Sequence, residues 1–333
     1  RQAYPGVNIV GDFQGKLAGD DEPLVLEDPN DNPADVVQYH SSGRWPRYAD
    51  GGGSSLELRD PHADNAQAET WAASDETDKA SWQSYSYQAV ANFPSGTQPT
   101  QWNDFILALL ADGECLIDDI TVVESPGTSP VQMITNGNFE NGRAGWRFLG
   151  THRHSRVETD PDNSANRVLR VVSTGPQEHM HNHIEMTLAS GRTIVNGRIY
   201  KISFRAKWLA GNNLLNTRCY FNRVARTTAL PRPALVGTPG ARNSRYAGNV
   251  GPTFTDLGHY PVIPQPNQVV TVSVNATDPQ NVASCALWYA VNGGNWNSVP
   301  MVISPQPSTI NHQPSTTYTA SIPGAAAGAI VQF

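Results

Sequence analysis

The stretch EHMHNHIE, residues 178–185, places His179, His181, His183 and Glu185 at every second position. In an extended chain, side chains alternate between faces, so these four would share one face. Met180, Asn182, Ile184 and Met186 would share the other, which is the more apolar and the better candidate for a core. The histidines would then point outward or into a groove. Imidazoles two apart on a strand can hold a transition metal together, here through His179, His181, His183 and Glu185. The same groups can hydrogen-bond a polar ligand such as a sugar, or simply line an ordinary strand. The spacing leaves all three readings open. A second pair, His152 and His154 in THRH, belongs to a neighbouring segment whose pairing cannot be read from spacing.

Sugar recognition needs flat apolar surface beside planar polar groups. Trp82, Tyr85, Trp102, Trp146, Trp208 and Tyr220 supply aromatic surface in the middle of the chain. Trp146 and Trp208 are the best core candidates. Tyr220, close in sequence to Arg218, Asn222 and Arg223, is the better candidate for an exposed platform. The ligand-binding set is therefore His179, His181, His183, Arg218, Tyr220 and Arg223. No G-x-S-x-G, HExxH or kinase signature is present, and Gly51–Gly53 is not followed by the Lys-Ser/Thr of a phosphate loop. The expectation is a protein that is not an enzyme, with a metal-dependent activity on the histidine face as the alternative. Cys115, Cys219 and Cys285 are far apart and odd in number, so they read as separate thiols.

Charge is distributed unevenly. Residues 1–125 carry 6 basic and 22 acidic groups, residues 126–249 carry 17 and 6, and residues 250–333 carry none and two. Either neighbouring surfaces complement each other, or the middle region meets an anionic partner. Fifteen of its 17 basic groups are Arg, which suits planar carboxylate or sulfate. No nucleic-acid motif accompanies them, and nucleic acid is not an expected partner.

The elements that must position these residues read as strands. EPLVLED, ADVVQYH, DFILALL, CLIDDITVVE, RVLRVVS, IYKISFRAKW, QVVTVSVNAT and TTYTASI are short, alternating or β-branched, and bounded by turn residues. No segment has a helical period, and no apolar run approaches the roughly 20 residues of a membrane helix. The fold class is all-β, built of tandem β-sandwiches. Breaks fall at 60–80, at SPGTSP (125–130) and in the Pro/Gly-rich stretch 231–252. Three modules follow: 1–73, 79–236 and 250–333. The first and last residues read as cut from a longer protein.

LVLEDPNDNPADVVQYHSSGRWP followed by ADGGGSSLELRDPHADN resembles the later part of a lamin tail domain, an immunoglobulin-like sandwich. CLIDDITVVE (115–124) resembles the last strand of a galactose-binding-like jelly roll, and ITNGNFENGRAGW (134–146) resembles its first strand. The end therefore precedes the beginning, as in a circularly permuted sandwich; two incomplete sandwiches are the alternative. The resemblance implies a structural calcium held by Asp119 and Glu140, with Asp118 as an alternative to Asp119. Two carboxylates on adjacent strands need a cation or a proton in any case. Residues 250–333 resemble an immunoglobulin or fibronectin-type module with an Asn-Gly-Gly hairpin; Asn275-Ala276-Thr277 inside it is formally a glycosylation sequon. The set is similar to multidomain bacterial proteins that join lamin tail and carbohydrate-binding modules, sometimes with a CotH-like kinase. It implies a secreted or cell-surface protein that binds glycan, neutral or anionic, beside other domains of the parent chain. A purely structural spacer is a further reading.

Overall fold

A computed structural model of the chain describes residues 5–7, 15–92, 103–304, 308–310 and 313–333. Among them, regular structure is strand with a few 3-10 turns, and no helix is long and apolar enough to cross a membrane. Contacts divide the chain into two compact units, Arg1–Glu57 with Trp71–Arg245, and Leu58–Thr70 with Tyr246–Phe333.

The first unit opens with a two-stranded hairpin of β1 (Glu22–Glu27) and β2 (Pro33–Tyr39). Its apolar residues stay open to solvent: Leu24, Val25, Leu26 and Val36 are all exposed. With β3 (Leu56–Leu58) and β4 (Trp71–Ala73), these are the only strands described in 1–73. Trp45, stacked on Trp71 at 6.2 Å between ring centres, is the one buried large apolar side chain among the described residues there. Two short ladders of this kind bury little apolar surface by themselves.

The described residues of 83–229 form two facing antiparallel sheets. Strands β5 (Gln83–Val90), β6 (Asp104–Leu109), β7 (Gly113–Glu124), β8 (Val131–Gln132), β9 (Trp146–Phe148), β10 (Arg156–Asp160), β11 (Asn163–Ser173), β12 (Ile184–Thr187), β13 (Ile199–Gly211), β14 (Leu214–Cys219) and β15 (Arg223–Ala229) make them. One sheet runs β10-β11-β7-β13-β5, with β8 paired to β7; the other runs β15-β14-β6-β12-β9. Alternating residues of both sheets meet in one core: Ile117 and Val122 of β7, Leu169 of β11 and Trp208 of β13 join Phe105 and Leu107 of β6, Ile184 of β12 and Leu215 of β14. Each such side chain contributes about 1.5–3 kcal/mol on burial. The core draws on residues both before and after the 125–130 loop. Trp146 and Trp208 are in it, at 3% and 1% exposure. Cys115 and Cys219 are buried free thiols, and burial pushes both up, Cys219 to about 12. Trp102 lies outside the described residues.

The Pro/Gly-rich stretch after β15 is not a free linker over residues 237–244. Glu57 accepts hydrogen bonds from Thr238 Oγ1 (2.6 Å) and from Ser244 N and Oγ (2.8 and 2.7 Å). Glu76 accepts from Gly237 N at 2.8 Å. Both carboxylates are buried, so they hold the segment against the body of the unit.

In the second unit, β16 (Thr253–Tyr260), β17 (Val270–Thr277), β18 (Ala286–Val291), β19 (Asn297–Pro300), β20 (Val302–Ile303), β21 (Ser308–Ile310), β22 (Gln313–Ile322) and β23 (Val331–Gln332) form two sheets, β16-β17-β22-β20 with β21 on β22, and β19-β18-β23. Val272, Val274, Leu287, Met301 and Tyr318 fill the core between them. Asn292 and Gly293 both take positive φ (53° and 68°), the turn geometry that Asn-Gly favours between β18 and β19. Asn275 of the sequon is 7% exposed and already bonded to Asp256 and Thr317, so it is not a surface acceptor for sugar.

Candidate functional site: the outer face of the five-stranded sheet

The histidine stretch is not a strand through its length. Asn182 N donates to His179 O at 3.0 Å, closing a turn, and β12 begins only at Ile184. The turn is held from below by Gly150, at φ 51°, where a Cβ would fall 2.1 Å from Asn182 Oδ1 and 2.8 Å from His181 O. The expected alternation therefore holds from His183 onward and fails before it. Ile184 and Met186 are buried, but Met180 is 70% exposed. The rings still gather. Those of His179 and His181 lie 5.2 Å apart between centres, and those of His181 and His183 lie 6.4 Å apart.

His183 is buried, and its Nε2 meets Glu185 Oε2 at 2.9 Å. Glu185 Oε1 accepts from Arg147 Nε at 2.7 Å. Arg147 also donates to Asp104 Oδ1 (2.9 Å) and to Thr187 Oγ1 (3.0 Å). The hydrogen bond from His183, followed by Arg147, outweighs burial and holds the Glu185 carboxyl down to about 2. Next to this group, His152 is fully buried and accepts the Leu109 backbone N–H at its Nε2, 3.0 Å away. Burial, and then the nearby His183, push its imidazole down to about 4, so it stays neutral near neutrality. His154 is exposed beside Arg153.

Register sets these residues in rows across the sheet. Arg147 of β9 is opposite Glu185 of β12, Glu185 is opposite Ile106 of β6, and Ile106 is opposite Arg218 of β14. In other rows Thr187 faces Asp104, and Ala108 faces Asn216, which faces Thr227 of β15. β14 alternates cleanly. Leu215, Thr217 and Cys219 are buried, whereas Leu214, Asn216 and Arg218 look outward. Arg218 is half-buried, and its NH1 donates to Asn216 Oδ1 at 2.6 Å. Among the described residues it has no carboxylate partner, and burial alone lowers its guanidinium from the usual value. Tyr220 follows, with its N–H on Asp104 O at 3.0 Å and its ring edge-on to Phe221, 4.6 Å between centres.

Arg223 does not join this face. It is 3% exposed, and its guanidinium is spent on the carbonyls of Tyr220 (3.0 Å) and Ile194 (2.9 Å). It braces the turn that carries Tyr220. Arg147, Asp104, Thr187 and Asn216 belong to the face but were not among the candidates read from sequence. A signal for Arg147 existed, since Trp-Arg-Phe alternates and puts Arg147 opposite two core aromatics.

The expected calcium ligands have other partners. Asp118 is fully buried, and its Oδ2 receives Arg205 NH2 (2.6 Å) and Asn166 Nδ2 (3.0 Å). Arg205 NH2 also reaches Asp160 Oδ2 at 3.3 Å. Asp119 is exposed, with Oδ2 3.1 Å from Arg205 Nε, an ion-pair distance without the alignment of a hydrogen bond. Arg205 in turn lies over the Trp82 ring, 4.3 Å from its centre. Glu140 Oε1 accepts the Arg167 backbone N–H at 3.0 Å. The cation that Asp118 and Asp119 share is therefore a guanidinium. Among the described residues, no three His, Cys, Asp or Glu groups stand ready around one metal position.

No protein-family model matches the chain, and no curated protein is significantly similar to it.

Proposed function

We propose that the 83–229 sandwich is a non-catalytic glycan-binding module of a secreted or cell-surface protein, and that its ligand lies on the outer face of the β15-β14-β6-β12-β9 sheet. The observation that carries this reading is Arg218. A half-buried guanidinium without an acid partner is costly unless a ligand supplies the anion or acceptor. Its planar donors match a carboxylate or sulfate in two-point geometry. Asn216, Thr227 and Tyr220 place amide, hydroxyl and ring surface around it, which suits sugar hydroxyls and C–H faces. The lamin-tail-like and immunoglobulin-like sequence features support flanking adhesive or spacing roles.

A glycan array containing neutral, uronate-bearing and sulfated chains, read at pH 5.5 and 7.5, tests this. Binding to acidic glycans that falls at least tenfold in Arg218→Ala is the expected result. Silence across the array at both pH values, or binding untouched by Arg218→Ala, overturns the reading.

A further inference from the structure

His183 carries an unusual nitrogen. Its Nε2 lies 2.9 Å from Glu185 Oε2, and a carboxylate oxygen accepts. With Nε2 engaged there, Nδ1 is the ring nitrogen left to meet a metal. That Nδ1 is buried and has no hydrogen-bond partner. An orphaned imidazole lone pair inside a protein is a cost that a bound cation would remove. A carboxylate that fixes the far nitrogen of a histidine is also the usual support of a metal-binding imidazole.

The neighbours fit. With Zn–N bonds of about 2.1 Å, imidazoles on one tetrahedral ion have ring centres roughly 5–6 Å apart. The His179–His181 separation, 5.2 Å, falls in that range, and the His181–His183 separation, 6.4 Å, has to close by a side-chain rotation. His179 Nδ1 accepts the His181 backbone N–H at 3.3 Å, which leaves its Nε2 to bind. The side chains of His179 and His181 are exposed, so an ordinary rotamer change brings them to the ion. Nitrogen donors of this kind select a zinc-like divalent ion over calcium.

We propose that His183 Nδ1, His181 and His179 bind one divalent first-row transition metal of the zinc type, with Glu185 as the residue that positions His183 rather than a ligand. Fewer than four protein donors leaves a coordination position for water or a ligand oxygen. The inference is independent of glycan binding at Arg218.

The test is titration of the chelator-stripped full chain with zinc alone, against a competing chromogenic chelator, and with cobalt(II) for its visible spectrum. One equivalent should bind. His181→Ala and His179→Ala change exposed positions and leave the fold intact, and each should weaken binding at least tenfold. Glu185→Gln should weaken it by about 10–100-fold and shift the cobalt bands at saturating metal. Absence of saturable zinc binding, or unchanged affinity in both exposed-histidine variants, overturns the proposal.

Discussion

His152 and Glu185 are the side chains whose ionisation the fold perturbs most clearly around the candidate face. A free imidazole titrates near 6.5, whereas burial, and then His183, push His152 to about 4. The unfolded chain therefore takes this proton first as pH falls. Stability is retained above about pH 6.5 and lost between there and about 4, by up to about 3 kcal/mol. Denaturant unfolding across that range should show the loss, and His152→Gln should flatten this part of the profile. An unchanged slope would mean that His152 is not the group responsible. Glu185 acts in a lower window. Its bond from His183 and its pair with Arg147 depress it to about 2, so its contribution is present above the ordinary carboxylate range and disappears as pH falls toward 2.

At the scale of elements, Arg205 of β13 ties three strands together. It meets Asp118 and Asp119 of β7 and Asp160 at the end of β10. Asn166 of β11 bridges Asp118 and Asp160 through Nδ2 at 3.0 and 3.1 Å. Removing the guanidinium would strand two buried carboxylates. Arg205→Met should cost about 3–5 kcal/mol in denaturant unfolding near neutral pH. The deficit should shrink on acidification, because burial already raises Asp118 and protonation relieves its unpaired charge. A deficit below about 1 kcal/mol, the range of an exposed pair, would show the cluster to be a surface ornament. The two adjacent acids in CLIDDITVVE are visible in one dimension, but their cation comes from a residue 87 positions later.

Over the whole molecule, the uneven charge along the chain resolves as pairing between strands. Asp104, Glu114, Asp118 and Glu124 of β6 and β7 meet Arg147, Arg170, Arg205 and Arg198 from the basic middle region. Acidic and basic segments are thus parts of the same sandwich, whereas half-buried Arg218 has no carboxylate partner among the described residues. The topology makes a further demand. β7 lies between β11 and β13, which both come after the 125–130 loop, so the loop is not needed to hold β7 in place. A protease site inserted at the exposed Gly127 should be cleavable with both fragments still co-eluting in gel filtration. Separation of the fragments without denaturant would contradict a shared core.

The all-β class and the core roles of Trp146 and Trp208 were legible in the sequence, because alternation and turn residues are local properties of the chain. The same locality misled at His179–Asn182. Four alternating residues look like strand, but a strand needs partners, and only from Ile184 do β6 and β9 supply them. Whether Arg218 or Arg223 faces solvent was equally beyond the sequence, since both are arginines in one turn-linked pair of strands. Tertiary structure decided it, by which carbonyls and carboxylates distant parts of the chain bring within reach: two carbonyls for Arg223, and for Arg218 a single amide oxygen and no acid.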